Sequence, residues 1–312
     1  MSAADALTCA RTGLLVRRLG AGHDFSGCIV ATGKDRVSWL NGLVTCDLAK
    51  AKVGDTLFGL AVGKTGKIEA EVHILLGAND LAILVAADRA DDLAKVLDRH
   101  LVMEDVTLDV ALGAADSFLV VGPGSEAAAA AARALGARAG LVQRIAGRTA
   151  IVRADSAATS AVLEAMLGAA SPSAVASDAA WDRVRAELGL PLRGVDFDES
   201  NYPQEAALER DAVSFEKGCY LGQEAVFMLE KRGHVKKRLV QLELAGSAAR
   251  GDELKSSDGA TVGSITTASP RDAGGSIALG VVRYKSATAD TQLVAGAGVT
   301  ARVTALLAVT PS

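Results

Sequence analysis

The chain has 312 residues, a net charge of −4 and a pI near 5.7, a balance that excludes a generally basic nucleic-acid binder while leaving room for a local basic patch. Half of the residues are hydrophobic and only 4% are aromatic, so the core must be built from alanine, valine and leucine. The length points to two domains or three small ones.

No apolar run approaches the ~18 residues of a membrane helix. The short apolar stretch Gly13-Leu14-Leu15-Val16 has Asp5 before it and Arg17 and Arg18 after it, the reverse of a secretory signal. The expected location is the cytoplasm. Residues 4–18 give weak and mixed signals, and residues 27–31 read as a strand. A turn at Thr32-Gly33-Lys34-Asp35 follows, with Asp35 placed to cap a helix in which Val37, Leu40 and Val44 recur at helical spacing. Residues 57–112 read as α+β: a strand at 57–62, a turn at 63–67, an alternating strand at 68–76, a hairpin turn into 81–87, a helix at 91–100 and a strand at 106–112.

A strand at 118–122 and an alanine-rich helix at 126–135 come next. The strand at 149–155 then leads into a helix ending at 162–167. This strand-then-helix order matches 81–101, through duplication or through chance. Ser171-Pro172-Ser173 breaks the pattern. Ser177 or Asp178 caps a helix at 179–188, with Trp181, Val184 and Leu188 on its buried face, and Gly189 and Pro191 stop it. The loop at 190–211 is long enough to suggest a function. Residues 212–215 look like a strand. From 236 onward short strands at 239–244, 261–267, 277–284 and 299–309 read as a small antiparallel barrel or sandwich. The division that follows is 1–235 and 236–312.

Chemistry concentrates in Lys217-Gly218-Cys219-Tyr220-Leu221-Gly222-Gln223-Glu224. A thiol reacts as thiolate, and both Lys217 and a helix opened by Gln223 and Glu224 favour that form. The alternative is a small buried residue in a tight turn, and no histidine lies nearby in sequence to serve as base. Gly218 and Gly222 permit positive φ and close backbone approach, or simply make the turn. Cys9, Cys28 and Cys46 read as buried reduced thiols, and the cysteine spacing fits neither zinc nor a disulfide framework. Glu187, with Arg185 beside it near a helix end, could accept two N–H donors from a pteridine-like heterocycle, or be a solvated terminus. Lys231, Arg232, Lys236, Lys237 and Arg238, with His234 among them, could hold an anionic tail or phosphates, or be a solvated turn. Residues 63–67 and 122–124 read as turns, not phosphate loops.

The 217–224 stretch, preceded by Pro203-Gln204-Glu205 and Val213-Ser214-Phe215, resembles the signature of the YgfZ-type folate-binding proteins, relatives of the glycine-cleavage aminomethyltransferase. Residues 35–42 with Thr45-Cys46-Asp47, residues 66–71 and residues 277–283 resemble further parts of that family. The resemblance implies an α+β fold, a three-lobed ring of two α+β lobes and a C-terminal antiparallel β-barrel around a central funnel. It implies tetrahydrofolate or a derivative as ligand. The implied role is in assembly or repair of iron–sulfur proteins, with iron–sulfur client proteins or assembly factors as partners and a bearing on tRNA thiomodification. Glu187 falls where the aminomethyltransferases carry a pterin-binding glutamate. The ligand set so implied is Arg185, Glu187, Lys217, Gly218, Tyr220, Gly222, Gln223 and Glu224, with a thiol role for Cys219. Two other readings accompany it. One is a tetrahydrofolate-dependent aminomethyl- or methyltransferase using Glu71. The other is an RNA-contacting factor using 231–238. Where relatives continue the motif with Val-Ala-Arg, this chain has Val226-Phe227-Met228. The aminomethyl-transfer motif also lacks a cysteine where Cys219 stands. Both departures point away from glycine cleavage.

Overall fold

Among the described residues, the apolar segments become strands that gather into two open five-stranded sheets and one closed barrel. The computed structural model describes residues 2–20, 25–113, 115–144, 147–232 and 235–306. The chain begins with α1 (Ala3–Thr12), β1 (Leu14–Leu19), β2 (Gly27–Thr32), α2 (Arg36–Asn41), β3 (Thr56–Val62), β4 (Ile68–Leu76), β5 (Asp80–Val85), α3 (Ala90–Asp98) and β6 (Thr107–Val110). It continues through β7 (Ala115–Val121), α4 (Ser125–Ala134), β8 (Arg138–Arg144), β9 (Gly147–Asp155), α5 (Thr159–Gly168), β10 (Ser173–Val175) and α6 (Asp178–Leu188). Next come α7 (Glu209–Ala212) and α8 (Gln223–Arg232). The barrel strands are β11 (Lys237–Leu244), β12 (Glu253–Lys255), β13 (Thr261–Pro270), β14 (Ser276–Arg283), β15 (Gln292–Ala295) and β16 (Val299–Leu306).

Two compact units result. One holds 8–176 and 211–223; the other holds residues up to 7, 177–210 and those from 224 onward. The turn at 217–223 belongs to the first, and Arg185 and Glu187 belong to the second.

In the first unit one sheet runs β3-β4-β5-β2-β6 and the other β10-β1-β7-β9-β8. Leu93 and Leu97 of α3 are buried in the same cluster as Ile29, Ile83 and Val85, as the helical spacing predicts. Alanines carry the equivalent helix in the second sheet: Ala128, Ala129 and Ala132 of α4 are fully buried beside Phe118, Val120 and Val152. In each sheet a strand and a helix lead into a last strand that lies beside the first. β5 and α3 lead to β6 next to β2, and β9 and α5 lead to β10 next to β1. The last strand pairs antiparallel in one sheet and parallel in the other.

Three local expectations change. Asp35 does not cap α2; its carboxylate accepts from the Asp105 amide at 2.9 Å. The helix ends at Asn41, and Val44 bridges to Ala61 of β3. Residues 213–215 form no strand, because the Ser214 amide donates to the turn carbonyl of Thr45 at 2.9 Å.

In the second unit the barrel closes in the order β11-β14-β13-β12-β15-β16. Its interior holds Val240, Leu242, Leu254, Ile265, Ala278 and Val303 among others. The Ser177 hydroxyl caps α6, and Gly189 at φ 67° ends it. The helix docks on the barrel: Ala186 packs with Leu239, Ile277 and Leu279. The Gln241 amide donates to the carbonyls of Ala186 at 2.6 Å and Glu187 at 3.1 Å. No described helix is long and apolar enough to cross a membrane.

Candidate functional site

The turn at 217–223 is fastened to the segment that leaves α2. The Lys217 ammonium donates to the carbonyls of Asn41 at 2.6 Å, Val44 at 2.8 Å and Cys46 at 2.7 Å. An ammonium has three N–H donors, so this set satisfies it. Burial pushes Lys217 down to about 8, against the pull of Cys46 and Asp47. Burial likewise pushes the Cys46 thiol up to about 12. Lys217, read from the sequence as a charge for the neighbouring thiol, is therefore turned into the lobe instead.

Thr45 completes the attachment, and nothing in the sequence singled it out for that role. It is fully buried. Its hydroxyl donates to the Ala212 carbonyl at 2.6 Å and accepts from the Leu60 amide at 2.8 Å. The Leu221 amide bonds the Gly42 carbonyl at 3.0 Å, and the Leu221 side chain packs on the core of the first sheet. Upstream, Asp211 accepts from Arg144 of β8 at 2.8 Å. That guanidinium lies 4.2 Å over the ring of Phe58, which stacks on the buried His73. Burial holds His73 well below its usual value, and Arg144 adds to the effect.

The two glycines of the turn differ. Gly222 has φ +76°, and a β-carbon there would sit 2.3 Å from the Gly63 carbonyl oxygen. Gly218 faces open space. Cys219 is exposed, whereas Cys9, Cys28 and Cys46 are buried free thiols. Tyr220 is buried with the Lys217 ammonium 5.3 Å from its ring centre. Its hydroxyl is buried with no partner among the described residues, and burial pushes its ionisation well above the usual value. Gln223 donates to the Gly218 carbonyl at 3.4 Å and opens α8, and Glu224 in the first turn is exposed.

In the other unit, Arg185 is nearly fully buried. It donates to Asp182 at 2.8 Å, to Asp196 at 2.5 Å and to the Thr267 hydroxyl at 2.6 Å. Glu187 accepts from Arg183 at 3.0 Å and from Arg271 at 2.9 and 3.2 Å. Of these contacts, those to Thr267 and Arg271 tie α6 to the barrel. Glu71 lies on β4 opposite Leu60 and is 7% exposed. Of the basic run, Lys231 and Lys236 are exposed, Lys237 is half-buried, and Arg238 pairs with Glu209. His234 and the Arg232 side chain lie outside the described residues.

Glu209 is itself unusual. Burial pushes its carboxyl up to about 7 against the pull of Arg238, and one oxygen has no partner among the described residues. The folded group binds its proton more tightly than the unfolded one at 4.5. Its stabilisation is therefore full below about pH 4.5 and is lost as pH rises through about 7. Glu209→Gln should remove this loss, so the urea midpoint should fall less between about pH 5 and 8 than in wild type. Parallel profiles for the two proteins would refute this assignment.

Comparison with known proteins agrees with this architecture. Residues 236–308 match the family model described as CAF17, C-terminal beta-barrel domain. The tRNA-modifying protein YgfZ of Vibrio vulnificus (strain CMCP6) is 28% identical over 228 residues, covering 70% of this chain and 68% of that protein. The protein of the same description from Hamiltonella defensa is 26% identical over 243 residues, covering 72% and 69%. Among solved structures, the glycine cleavage system aminomethyltransferase T from Bartonella henselae superposes with a TM-score of 0.79. That match covers 99% of this chain and 90% of the other at 18% identity, a likeness of fold. The chain thus carries a C-terminal barrel that matches the CAF17 barrel domain, is similar to YgfZ proteins over about 70% of its length, and shares its α+β fold with aminomethyltransferase T.

Proposed function

We propose that this protein is a folate-binding accessory factor for iron–sulfur cluster assembly or repair, acting in support of tRNA thiomodification. The observation that carries the reading is the turn at 217–223. Three carbonyls hold Lys217 and a close backbone contact holds Gly222, so the turn presents the exposed Cys219 from a fixed frame. The relatives described as tRNA-modifying support the tRNA link, and the shared aminomethyltransferase fold supports a tetrahydrofolate-type ligand.

The residues present fit such a ligand in part. The partnerless Tyr220 hydroxyl is a buried donor suited to a heterocycle carbonyl or ring nitrogen. Gly218 leaves open space, and Gln223 and Glu224 offer an amide and a carboxylate. A pterin at Glu187 would have to compete with Arg183 and Arg271, and Arg185 and Lys217 act by holding their own segments. When bound, tetrahydrofolate supplies one-carbon chemistry. The residues of the turn would orient it, and the exposed Cys219 belongs to the same turn.

Anaerobic calorimetry with tetrahydrofolate tests this. Wild type should bind in the micromolar range, and Tyr220→Phe should bind about fivefold more weakly, the loss of one hydrogen bond. Absence of heat from wild type at high micromolar ligand would overturn the folate reading.

A further inference from the structure

The barrel carries a groove of about 700 Å³ between the loop at 194–201 and strands β13 and β14. Its walls hold Lys237, Arg250 and Arg283 together with the hydroxyls of Thr261, Ser264 and Thr266. Lys237 at the start of β11 stands directly opposite Arg283 at the end of β14. Like charges facing each other across a strand pair repel, and among the described residues neither has an acidic partner. The ladder extends the arrangement by one step. The Tyr284 amide donates to the Lys236 carbonyl at 3.0 Å, so Lys236, Tyr284 and Lys285 continue the same end of the barrel, all exposed.

The acids of the groove are already engaged. Asp196 is bonded to Arg185 and to the hydroxyls of Thr266 and Thr267. Asp198 accepts from the Ser200 amide, and Glu253 faces Lys255 at 3.5 Å. Arg250 donates to the Gly194 carbonyl at 3.2 Å, which fixes it at the loop side. A negative protein thus presents a row of cations whose repulsion is not relieved from within. Screening over about 10 Å at 0.1 M salt lets such a row act independently of the net charge.

We propose that this groove binds the phosphodiester backbone of a single-stranded RNA segment. Successive phosphates relieve the Lys237–Arg283 repulsion, and Tyr284, exposed and next in sequence to Arg283, supplies an aromatic side chain on which a base can stack. The groove hydroxyls suit the 2′-OH. A carboxylate tail would use the cations and leave the aromatic ring idle. The choice of RNA deepens the tRNA-linked reading above and rests on it; the cationic groove does not.

The test is fluorescence anisotropy of a fluorescein-labelled single-stranded RNA of about 12 nucleotides with the full chain. Three phosphate contacts give a slope of log affinity on log salt of about −2. Lys237→Gln combined with Arg283→Gln should weaken binding at least tenfold and reduce the slope by about 1.4. Because that pair relieves repulsion, its melting temperature should not fall. Tyr284→Ala should weaken binding at least fivefold. The proposal is overturned by no anisotropy change at high micromolar protein, by undiminished binding of the double variant, or by equal affinity for DNA of the same sequence. Displacement of the RNA by equimolar triglutamate would also overturn it, marking a carboxylate site. Loss of folate heat with RNA binding intact would sink only the folate reading.

Discussion

Replacing Lys217 with methionine is expected to lower the unfolding free energy by about 3–5 kcal/mol. The side chain keeps its length, but the carbonyls of Asn41, Val44 and Cys46 lose a charged donor in a buried setting. Arginine should not rescue it. A planar guanidinium directs its N–H bonds outward in a fork, whereas these carbonyls converge on a single nitrogen. Urea denaturation of wild type, Lys217→Met and Lys217→Arg measures the effect. A loss below about 1 kcal/mol for methionine would mean that the carbonyls find other donors and that the turn is held elsewhere.

Gly222→Ala should cost about 2–5 kcal/mol. Its φ of +76° is strained for an alanine, and the added carbon meets a backbone oxygen at 2.3 Å, which cannot swing aside as a side chain would. Gly218→Ala is the internal comparison. That position has no atom within 4 Å of the added carbon and should change stability by no more than about 0.5 kcal/mol. Thermal melts of both variants decide it: equal shifts would show that the contact with Gly63 does not limit the turn. The sequence presents the two glycines as a matched pair, and only the backbone of β3 and β4 distinguishes them.

That contrast also marks how much could be read in advance. The strands β3, β4 and β5 announce themselves through apolar runs and a glycine turn, because each residue type reports its own burial. β12 and β15 span 3 and 4 residues, too short for a period to show. β8 begins and ends in arginine, and its Arg144 is held by Asp211 and Phe58 from distant segments. At the candidate site the glycine-framed thiol was legible and the work of Lys217 was not, since its partners are main-chain carbonyls and any residue has one. Arg185 and Glu187 were legible as a charged helix end, while Asp196, Thr267 and Arg271 join them only through the fold. The basic run at 231–238 was visible, but Arg283 enters it through the register of β11 with β14.

The lysine clamp also has a bearing on synthesis. Lys217 follows the carbonyls it holds by 171 to 176 residues. At about 5–20 residues per second, those carbonyls leave the ribosome roughly 10–35 s before their donor exists. Until then the connection from α2 to β3 has only water for those bonds. The first sheet can pair its strands in that interval, but its rim stays unfinished. The lobe that emerges first is therefore completed by one of the last segments translated before the barrel.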